Sequence, residues 1–279
     1  MGYNLLMNLD ATLALLARDA DAPIDLAEVA LHLARDEYPH LDVEGYLAEL
    51  AGMACEAARY LGNSLESQVT GLCRYLFHDN GFRGNLSQYY DPRNSYLNDV
   101  MDRQFGIPIT LSIVTMAVGR RLGMNVDGVG LPGHFVALAM RDDERIFFDP
   151  FHEGRRLTPD DCSALIQQSS GLDVEVTAAM LQPASTGSVV VRMLTNLKGS
   201  YVRKGEFRRA TRVIRRLRQV APDDWTQVRD LGACYLNAGQ PGKAIDPLSL
   251  YLRKRSEADD APTVRKLLAR ARGEVARLN

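Results

Sequence analysis

Several features that identify whole classes of protein are scarce in this chain of 279 residues. It has four cysteines, and none stands in the CxxC or CxH spacing of structural zinc and redox sites. GxGxxG and phosphate-loop motifs are absent as well. We therefore expect reduced thiols, no bound metal and no cofactor.

Long apolar runs are also missing. No uncharged stretch of eighteen apolar residues occurs, so the sequence predicts no membrane span. The N-terminus MGYNLLMNLDATLALLARDAD has no basic leader and carries Asp10 within its apolar run, which is not typical of a secretory signal peptide. Together these absences predict a cytoplasmic protein.

Charge is balanced over the whole chain but not locally. The formal net charge of −2 gives no general attraction to nucleic acids or anionic membranes. Residues 1–60 hold eleven acidic and three basic side chains, whereas residues 189–222 hold ten basic and one acidic. Arg208, Arg212 and Arg215 share one helical stripe, which we interpret as a surface for a protein or peptide partner. Few aromatic residues interleave with this stripe, so nucleic-acid binding is not expected. Two alternatives are that the acidic and basic segments face each other, or that both are solvated.

The first part of the chain is patterned as helices. Apolar residues recur at spacings of three and four after Asp25 and after Asp42, which are placed as N-caps. Asn63 and Glu66 frame a further helix start, and Asn80-Gly81 is a C-cap signal. Residues 9–81 are therefore predicted to form a helical N-terminal layer.

The periodicity changes in the middle of the chain. We predict a helix capped by Asn94 and ended by Gly106, then a second helix whose first turn holds Pro108 and which Gly123 closes. The segments VDGVGL, HFVALAM and RIFFD are short, rich in β-branched or aromatic residues and separated by turns, which is typical of antiparallel strands. Thr158 caps one more helix. Helices followed by such strands predict an α+β fold with a small antiparallel sheet.

An internal repeat of 34 residues follows the turn-rich segment PASTGS. This is the tetratricopeptide period, in which an aromatic residue and a leucine pack between paired helices and glycine occupies the turn. We predict a linker at residues 183–188, a core domain over 1–182 and an all-helical repeat domain over 189–279. Because two copies are few for such an array, residues 261–278 are expected to cap it or to pack on the core. The equivalent pairs are Leu197 and Leu231, Tyr201 and Tyr235, Gly205 and Gly239, and Ala210 and Ala244.

A histidine and an aspartate stand where strand ends can meet. His134 follows a Pro-Gly turn, and Asp149 ends a later strand fifteen positions on. A carboxylate beside a histidine orients the imidazole for acid-base chemistry, and a helix start nearby is where a cysteine nucleophile is activated. The segments PGHF, FFDPF, YYDPRNSYLNDVMDRQFGIPITLS and GRRLT resemble the SirB-type branch of transglutaminase-like proteins, which end in tetratricopeptide repeats.

This resemblance implies a cleft without its nucleophile. Transglutaminases and related cysteine proteases begin their catalytic helix with glycine, an apolar residue and cysteine at a set distance before a leucine-glycine pair. Counting back from Leu122-Gly123 places Pro108 where that cysteine stands, and proline cannot attack a carbonyl. The resemblance therefore implies a pseudoenzyme that serves as a scaffold or regulator binding a peptide or protein.

Other nucleophiles stay open as alternatives. Thr110 or Ser112 could act with His134 and Asp149 in a hydrolase or acyltransferase, although a helical hydroxyl more often bonds its own i−4 carbonyl. The fold could instead bring in one of two cysteines, or the pair could activate water, alone or with a metal that His152 also binds. The simplest alternative is an inherited structural hydrogen bond. The two cysteines are Cys73 and Cys162.

The loop YYDPRNSYLND is a candidate ligand-binding segment beside the presumed cleft. Its mixture of aromatic, acidic, amide and basic side chains suits contacts with a peptide. The alternative is turn and cap chemistry, and both can hold. The candidate binding residues are Tyr90, Asp91, Arg93, Asn94, Tyr96, Asn98 and Asp99.

Overall fold

The computed structural model describes residues 8–278. They form two compact units, one of residues 21–193 and one that joins residues 8–20 to residues 194–278. Helix α1 (Leu9–Arg18), which the sequence analysis placed with the core, thus belongs to the repeat unit because it packs against helix α9 (Phe207–Val220). The predicted linker at 183–188 is partly helical, since helix α8 (Thr186–Arg203) begins within it.

The core unit begins with helices α2 (Leu26–Ala34), α3 (Val43–Ala57) and α4 (Leu65–Cys73). Asp25 accepts from the backbone of Ala27 and Asp42 from that of Gly45, so both predicted N-caps are confirmed. α4 continues as a π-helical stretch, Arg74–Asp79, and ends where Asn80-Gly81 was predicted to stop it.

The predicted start of α4 is wrong by one residue. Its cap is Ser64 rather than Asn63, and its reciprocal partner is Ser67 rather than Glu66. Ser64 Oγ accepts from Ser67 N at 3.1 Å, and Ser67 Oγ accepts from Ser64 N at 3.0 Å. A second serine can close a capping box in place of glutamate because it also has an acceptor oxygen.

Two short helices connect α4 to the sheet. Helix α5 (Leu97–Arg103) follows a 3-10 turn at Pro92–Ser95, and helix α6 (Pro108–Arg121) begins at the proline, as predicted. Gly106 does not end α5: Gln104 does so in the left-handed conformation, at φ 61°. Gly106 instead lies in β2 (Phe105–Gly106), which pairs in parallel with β1 (Arg83–Gly84).

Asn94 is not a helix cap. It is fully buried, its side-chain oxygen accepts from Asn85, and its amide nitrogen donates to the carbonyls of Gln88 and Tyr89. The prediction was wrong because the side chain of Asn94 bonds to the preceding loop and not to the first turn of α5.

A four-stranded antiparallel sheet forms the centre of the core unit. β3 (Asn125–Leu131), β4 (His134–Arg141) and β5 (Glu144–Asp149) are the predicted strands, and β6 (Arg155–Leu157) adds an edge that the sequence did not reveal. Leu131 lies opposite His134 at the β3–β4 turn. Helix α7 (Pro159–Ser170) starts at Thr158, as predicted, and closes a capping box with Asp161. The α+β fold class is confirmed.

The repeat unit consists of paired helices. After α8 and α9 come α10 (Trp225–Asn237), α11 (Pro241–Lys254) and α12 (Ala261–Leu278). Gly205 and Gly239 turn between paired helices at φ +72° and +70°, so the predicted repeat is seen in matching backbone geometry. Ala210 and Ala244 are fully buried. α12 packs against α11, which fits the capping role.

No helix within residues 8–278 combines the length and the apolar character needed to cross a bilayer. The four cysteines are free thiols, one of them exposed, Cys55, and the others buried.

Candidate functional site

The structure brings His134 and Asp149 together at one edge of the sheet. His134 begins β4 and Asp149 ends the neighbouring strand β5. His134 Nε2 donates to Asp149 Oδ2 at 2.8 Å, and the two residues are 5% and 0% exposed. Within the described part of the chain, no hydrogen bond occupies the other ring nitrogen, Nδ1.

His152 completes the cluster. It ends a 3-10 turn, Pro150–His152, and its Nδ1 lies 2.7 Å from Asp149 Oδ2. Its ring stacks on that of His134, with 5.8 Å between the ring centres. From the sequence, His152 was considered only as a metal ligand. The spacing of three residues from Asp149 is a signal that could have indicated the contact, because one helical turn spans it.

Asp149 is the acceptor on which this cluster depends. Its Oδ1 accepts from the backbone of Phe151 at 2.9 Å, so both oxygens are engaged. Burial by itself would raise the pKa of Asp149, but the hydrogen bonds and charges of the two histidines hold it well below its ordinary range. The hydrogen bond between His152 and Asp149 also raises the pKa of His152, whereas burial lowers it. The arrangement is a buried carboxylate shared between two imidazoles.

The same three residues form a possible metal-ligand set. One ligand atom from each of His134, Asp149 and His152 lies within 4.8 Å of the others. Two imidazoles and a carboxylate match the donor set of zinc sites that keep a coordination position open. In this structure both histidines donate hydrogen bonds to the same oxygen of Asp149, an arrangement that needs no metal. The absence of a metal stays a prediction.

The start of α6 offers no exposed hydroxyl. Thr110 and Ser112 are fully buried. Thr110 Oγ1 donates to the carbonyl of Asn94 at 2.8 Å and accepts from Ile107 N at 3.1 Å. Ser112 Oγ donates to the carbonyl of Pro108 at 2.8 Å, which is the i−4 bond expected of a helical serine. Both hydroxyls therefore have backbone partners, while the turn that carries His152 packs against α6.

The two cysteines considered as substitutes are poor nucleophiles. Burial raises the pKa of Cys73 to about 12 and that of Cys162 to about 11. Cys162 lies in the apolar cluster between the sheet and α7, together with Leu165 and Ile166. Both thiols stay protonated at neutral pH, so neither supplies a thiolate.

The predicted binding loop divides into structural and exposed residues. Tyr90 and the side chain of Arg93 are about half exposed, and Arg93 pairs with the buried Asp91 at 2.7 Å. The remaining members are tied into the fold: Asn94 by the contacts given above, Tyr96 and Asn98 by burial, and Asp99 by a 2.5 Å hydrogen bond from Tyr38.

Three residues near His134 were missed by sequence reasoning. The ring of Phe151 lies 6.0 Å from the rings of both His134 and Tyr89. Arg192 Nη2 donates to the backbone carbonyl of His134 at 2.5 Å, and its guanidinium lies 5.4 Å from the centre of the Phe135 ring. Tyr89 and Phe151 lie within the segments YYDPRNSYLND and FFDPF, so their aromatic character was a usable signal. Arg192 follows His134 by 58 positions, and no local pattern could connect them.

The basic stripe lies on α9. Arg208 and Arg212 are exposed, whereas Arg215 donates to the hydroxyl of Tyr235 at 2.6 Å and so connects α9 to α10. Arg208 also lines an open hollow of about 400 Å³. The other residues around it are Gly205, Glu206, Phe207, Arg209, Asn237 and Ala238.

Comparison with known proteins identifies both parts of the chain. The model of the transglutaminase-like superfamily matches residues 42–195, and that of the tetratricopeptide repeat matches residues 197–269. A UPF0162 protein of Xylella fastidiosa (strain 9a5c) is 35% identical over 259 residues, covering 90% of this chain and 91% of that protein. A UPF0162 protein of Vibrio cholerae is 27% identical over 220 residues, covering 78% and 81%. F-box only protein 21 of Homo sapiens is 32% identical over 165 residues, covering 56% of this chain and 25% of that protein.

Proposed function

The chain belongs to the transglutaminase-like superfamily, and from that premise we propose that it is a non-catalytic member that binds a peptide or protein segment beside His134. The observation that carries this proposal is the start of α6, where Pro108 occupies the first helical position. The resemblance to cysteine-dependent relatives matches this position to the nucleophile. A proline ring has no group that can form a covalent acyl intermediate.

The neighbouring hydroxyls support the same conclusion. A serine or threonine nucleophile must give its proton to a base within hydrogen-bond reach. Thr110 and Ser112 instead donate to backbone carbonyls inside the core. Using either as a nucleophile would leave a buried carbonyl with one partner fewer and would require the hydroxyl to turn out of its helix.

A hydrolase or acyltransferase that uses activated water is the second candidate. It is favoured by the intact His134, Asp149 and His152 cluster, which holds an imidazole in a fixed orientation. A panel of amide, ester and glutamine-acceptor substrates distinguishes the two functions. Turnover by the wild-type protein that disappears in His134→Ala would contradict the non-catalytic function, whereas no turnover together with peptide binding would support it.

The geometric premise has its own test, replacement of Pro108 by cysteine. A thiol at a helix N-terminus and beside an imidazole has a lowered pKa and reacts quickly with iodoacetamide at pH 6.5. Residue 108 is buried, which limits its absolute rate, but we expect His134 to speed alkylation of the thiol in Pro108→Cys at least about tenfold. Adding His134→Ala should remove most of that advantage. Equal alkylation rates with and without His134 would show that residue 108 does not face the imidazole.

The repeat is proposed to supply a second surface for a protein partner. Tetratricopeptide arrays present extended surfaces of this kind. Arg208 and Arg212 are exposed on α9, so an acidic segment could dock there. A partner that loses affinity for Arg208→Glu and Arg212→Glu, but not for Arg253→Glu on α11, would support this assignment. Equal binding to all three variants would show that the partner does not bind the stripe.

A further inference from the structure

Arg192 is placed differently from three other half-buried arginines of the chain. Arg121, Arg216 and Arg229 keep side-chain exposures of 23%, 22% and 32%, and each forms an ion pair with an aspartate. Arg192 is half-buried as well, yet it forms no ion pair with any acidic residue that the structure describes. A shielded guanidinium without a counter-charge is costly, because its hydration is lost and no anion replaces it.

The contacts of Arg192 leave much of its donor capacity unused. A guanidinium has five N–H groups in a fixed fork. One nitrogen, Nη2, donates to the neutral carbonyl of His134, and the planar group lies over the ring of Phe135. Burial lowers the pKa of Arg192, and the nearby Tyr89 partly offsets this. Such a group is suited to receive a negatively charged ligand that the protein itself does not provide.

The groups around Arg192 offer further donors. Tyr89 interacts electrostatically with Arg192, and no described residue accepts a hydrogen bond from its hydroxyl. The ring of Tyr89 connects through Phe151 to the two histidines. The side chain of His152 is 40% exposed, so it is accessible at the edge of this group. Both oxygens of Asp149 are already engaged by donors, so neither competes for the free donors of Arg192.

We propose that Arg192 and Tyr89, beside the His134 and His152 pair, form a subsite that binds a carboxylate of a peptide ligand. The planar fork of arginine matches a carboxylate with two parallel hydrogen bonds, and the tyrosine hydroxyl can donate a third. This inference rests on the proposed peptide-binding function and specifies its ligand. The carboxylate belongs either to a peptide C-terminus or to an aspartate or glutamate side chain, and the same test separates these two sources.

The test uses the full chain and three acetylated tripeptides. One is trialanine with a free C-terminal carboxylate, the second is its C-terminal amide, and the third is an amide with a central glutamate. Dissociation constants come from NMR titrations that follow the side-chain Nε–H of Arg192 and the ring protons of His134 and His152. We expect at least about tenfold tighter binding of the carboxylate peptides than of the neutral amide, as for a charge-assisted pair. Whichever carboxylate peptide binds more tightly shows whether the carboxylate comes from a C-terminus or from a side chain.

Variants assign that preference to the subsite. Arg192→Met should abolish it, and Tyr89→Phe should weaken it several-fold. Arg192→Lys keeps the charge but loses the fork, so it should retain only part of the preference for a carboxylate. This variant also keeps the test valid if Arg192→Met does not fold. Arg121→Met is the matched control, because that arginine is equally shielded but already paired with Asp25, and it should keep the full preference. Thermal melts check that each variant is folded.

Several outcomes would overturn the inference. If all three peptides bind with the same constant, or if Arg192→Met keeps the preference, the carboxylate subsite is wrong while peptide binding itself stands. If inorganic phosphate shifts the Arg192 signal and the carboxylate peptides do not, the ligand class is wrong. If no peptide shifts any of these signals in the wild-type protein, both this inference and peptide binding at the site fail.

Discussion

At Asp149, three donors converge on one buried carboxylate: the rings of His134 and His152 and the backbone of Phe151. The site is therefore held by hydrogen bonds to a charge, which are stronger than those between neutral groups. The pKa of Asp149 is lowered, so its contribution to stability is present above its ordinary value of 3.8 and is lost as the pH falls through the folded-state pKa. We therefore expect acid to destabilise the cluster by protonating Asp149.

His152 gives the opposite pH dependence. Its pKa is raised above the ordinary value of 6.5, so its contribution is full below that pH and is lost as the pH rises through the folded-state pKa. We expect His152→Gln to lower the melting temperature more at pH 6 than at pH 8.5. Since the side chain is 40% exposed, solvent screening limits the difference to under about 1 kcal/mol.

The control for this prediction is His40→Gln, at an exposed histidine on the surface of the core unit. Its melting temperature should differ from that of the wild-type protein by the same amount at both pH values. A His152→Gln variant whose loss is equal at pH 6 and pH 8.5, or greater at pH 8.5, would contradict the shared carboxylate.

The hydroxyls of α6 make a second prediction for single residues. Thr110→Val should lower the free energy of unfolding by about 1–3 kcal/mol, because the buried N–H of Ile107 and carbonyl of Asn94 each lose a partner. Ser112→Ala should cost less, since the carbonyl of Pro108 still lies within the helical ladder. Urea denaturation measures both. A larger loss for Ser112→Ala than for Thr110→Val would show that this hydroxyl does more than its i−4 bond.

At the level of elements, the repeat depends on glycines in the left-handed conformation. Gly205 and Gly239 have φ values of +72° and +70°, where an L-residue with a β-carbon is strained. Gly232 has a different role, because a β-carbon there would lie 2.5 Å from Leu248 Cγ. Each copy of the 34-residue repeat therefore contains one glycine turn, at Gly205 or at Gly239. In the second copy, Gly232 also allows α10 and α11 to approach closely.

Replacing Gly239 by alanine tests the turn. A β-carbon there would meet no atom within 4 Å, so any loss comes from the backbone conformation alone. We expect a loss of about 1–2 kcal/mol in the free energy of unfolding. The matched control is Gly199→Ala, in the middle of α8 and equally open, which should instead stabilise by about 0.5–1 kcal/mol. Two changes of the same sign would contradict the backbone explanation.

On the scale of the whole molecule, the acidic start of the chain meets the basic repeat. Asp10 of α1 accepts from Arg216 at 2.5 Å and from Gln219 at 3.2 Å, both on α9. The first alternative of the sequence analysis, that the two charged segments face each other, thus holds for α1. Part of the positive charge on α9 is thus neutralised within the chain, at Arg216 beside the stripe of Arg208, Arg212 and Arg215.

Apolar packing should hold α1 in place more than this ion pair does. Leu13 is fully buried, while Leu15 on the same helix is 46% exposed. We expect Leu13→Ala to increase hydrogen exchange throughout α1, with a cost of about 2–5 kcal/mol for the truncated leucine. Leu15→Ala serves as the exposed control and should leave exchange nearly unchanged. Asp10→Asn should have an effect below about 1 kcal/mol, because the aspartate is largely exposed. A greater effect of Asp10→Asn than of Leu13→Ala would mean that charge dominates the docking.

The sequence by itself determined the features that depend on neighbours along the chain. The caps at Asp25 and Asp42, the proline that opens α6, and the three main strands follow from hydrogen bonds and apolar periodicity within a few residues. The tetratricopeptide repeat was also visible in the sequence, because the same residue types recur 34 positions apart.

Tertiary structure decided what depends on residues far apart in the chain. It placed α1 on the repeat, buried Asn94 in a loop instead of at a helix start, and set Arg192 against the carbonyl of His134. These outcomes follow from packing and from the tendency of buried polar groups to find partners, which no local pattern records. The sequence therefore indicated that a proline, Pro108, opens α6, while the fold determined which donors lie around His134.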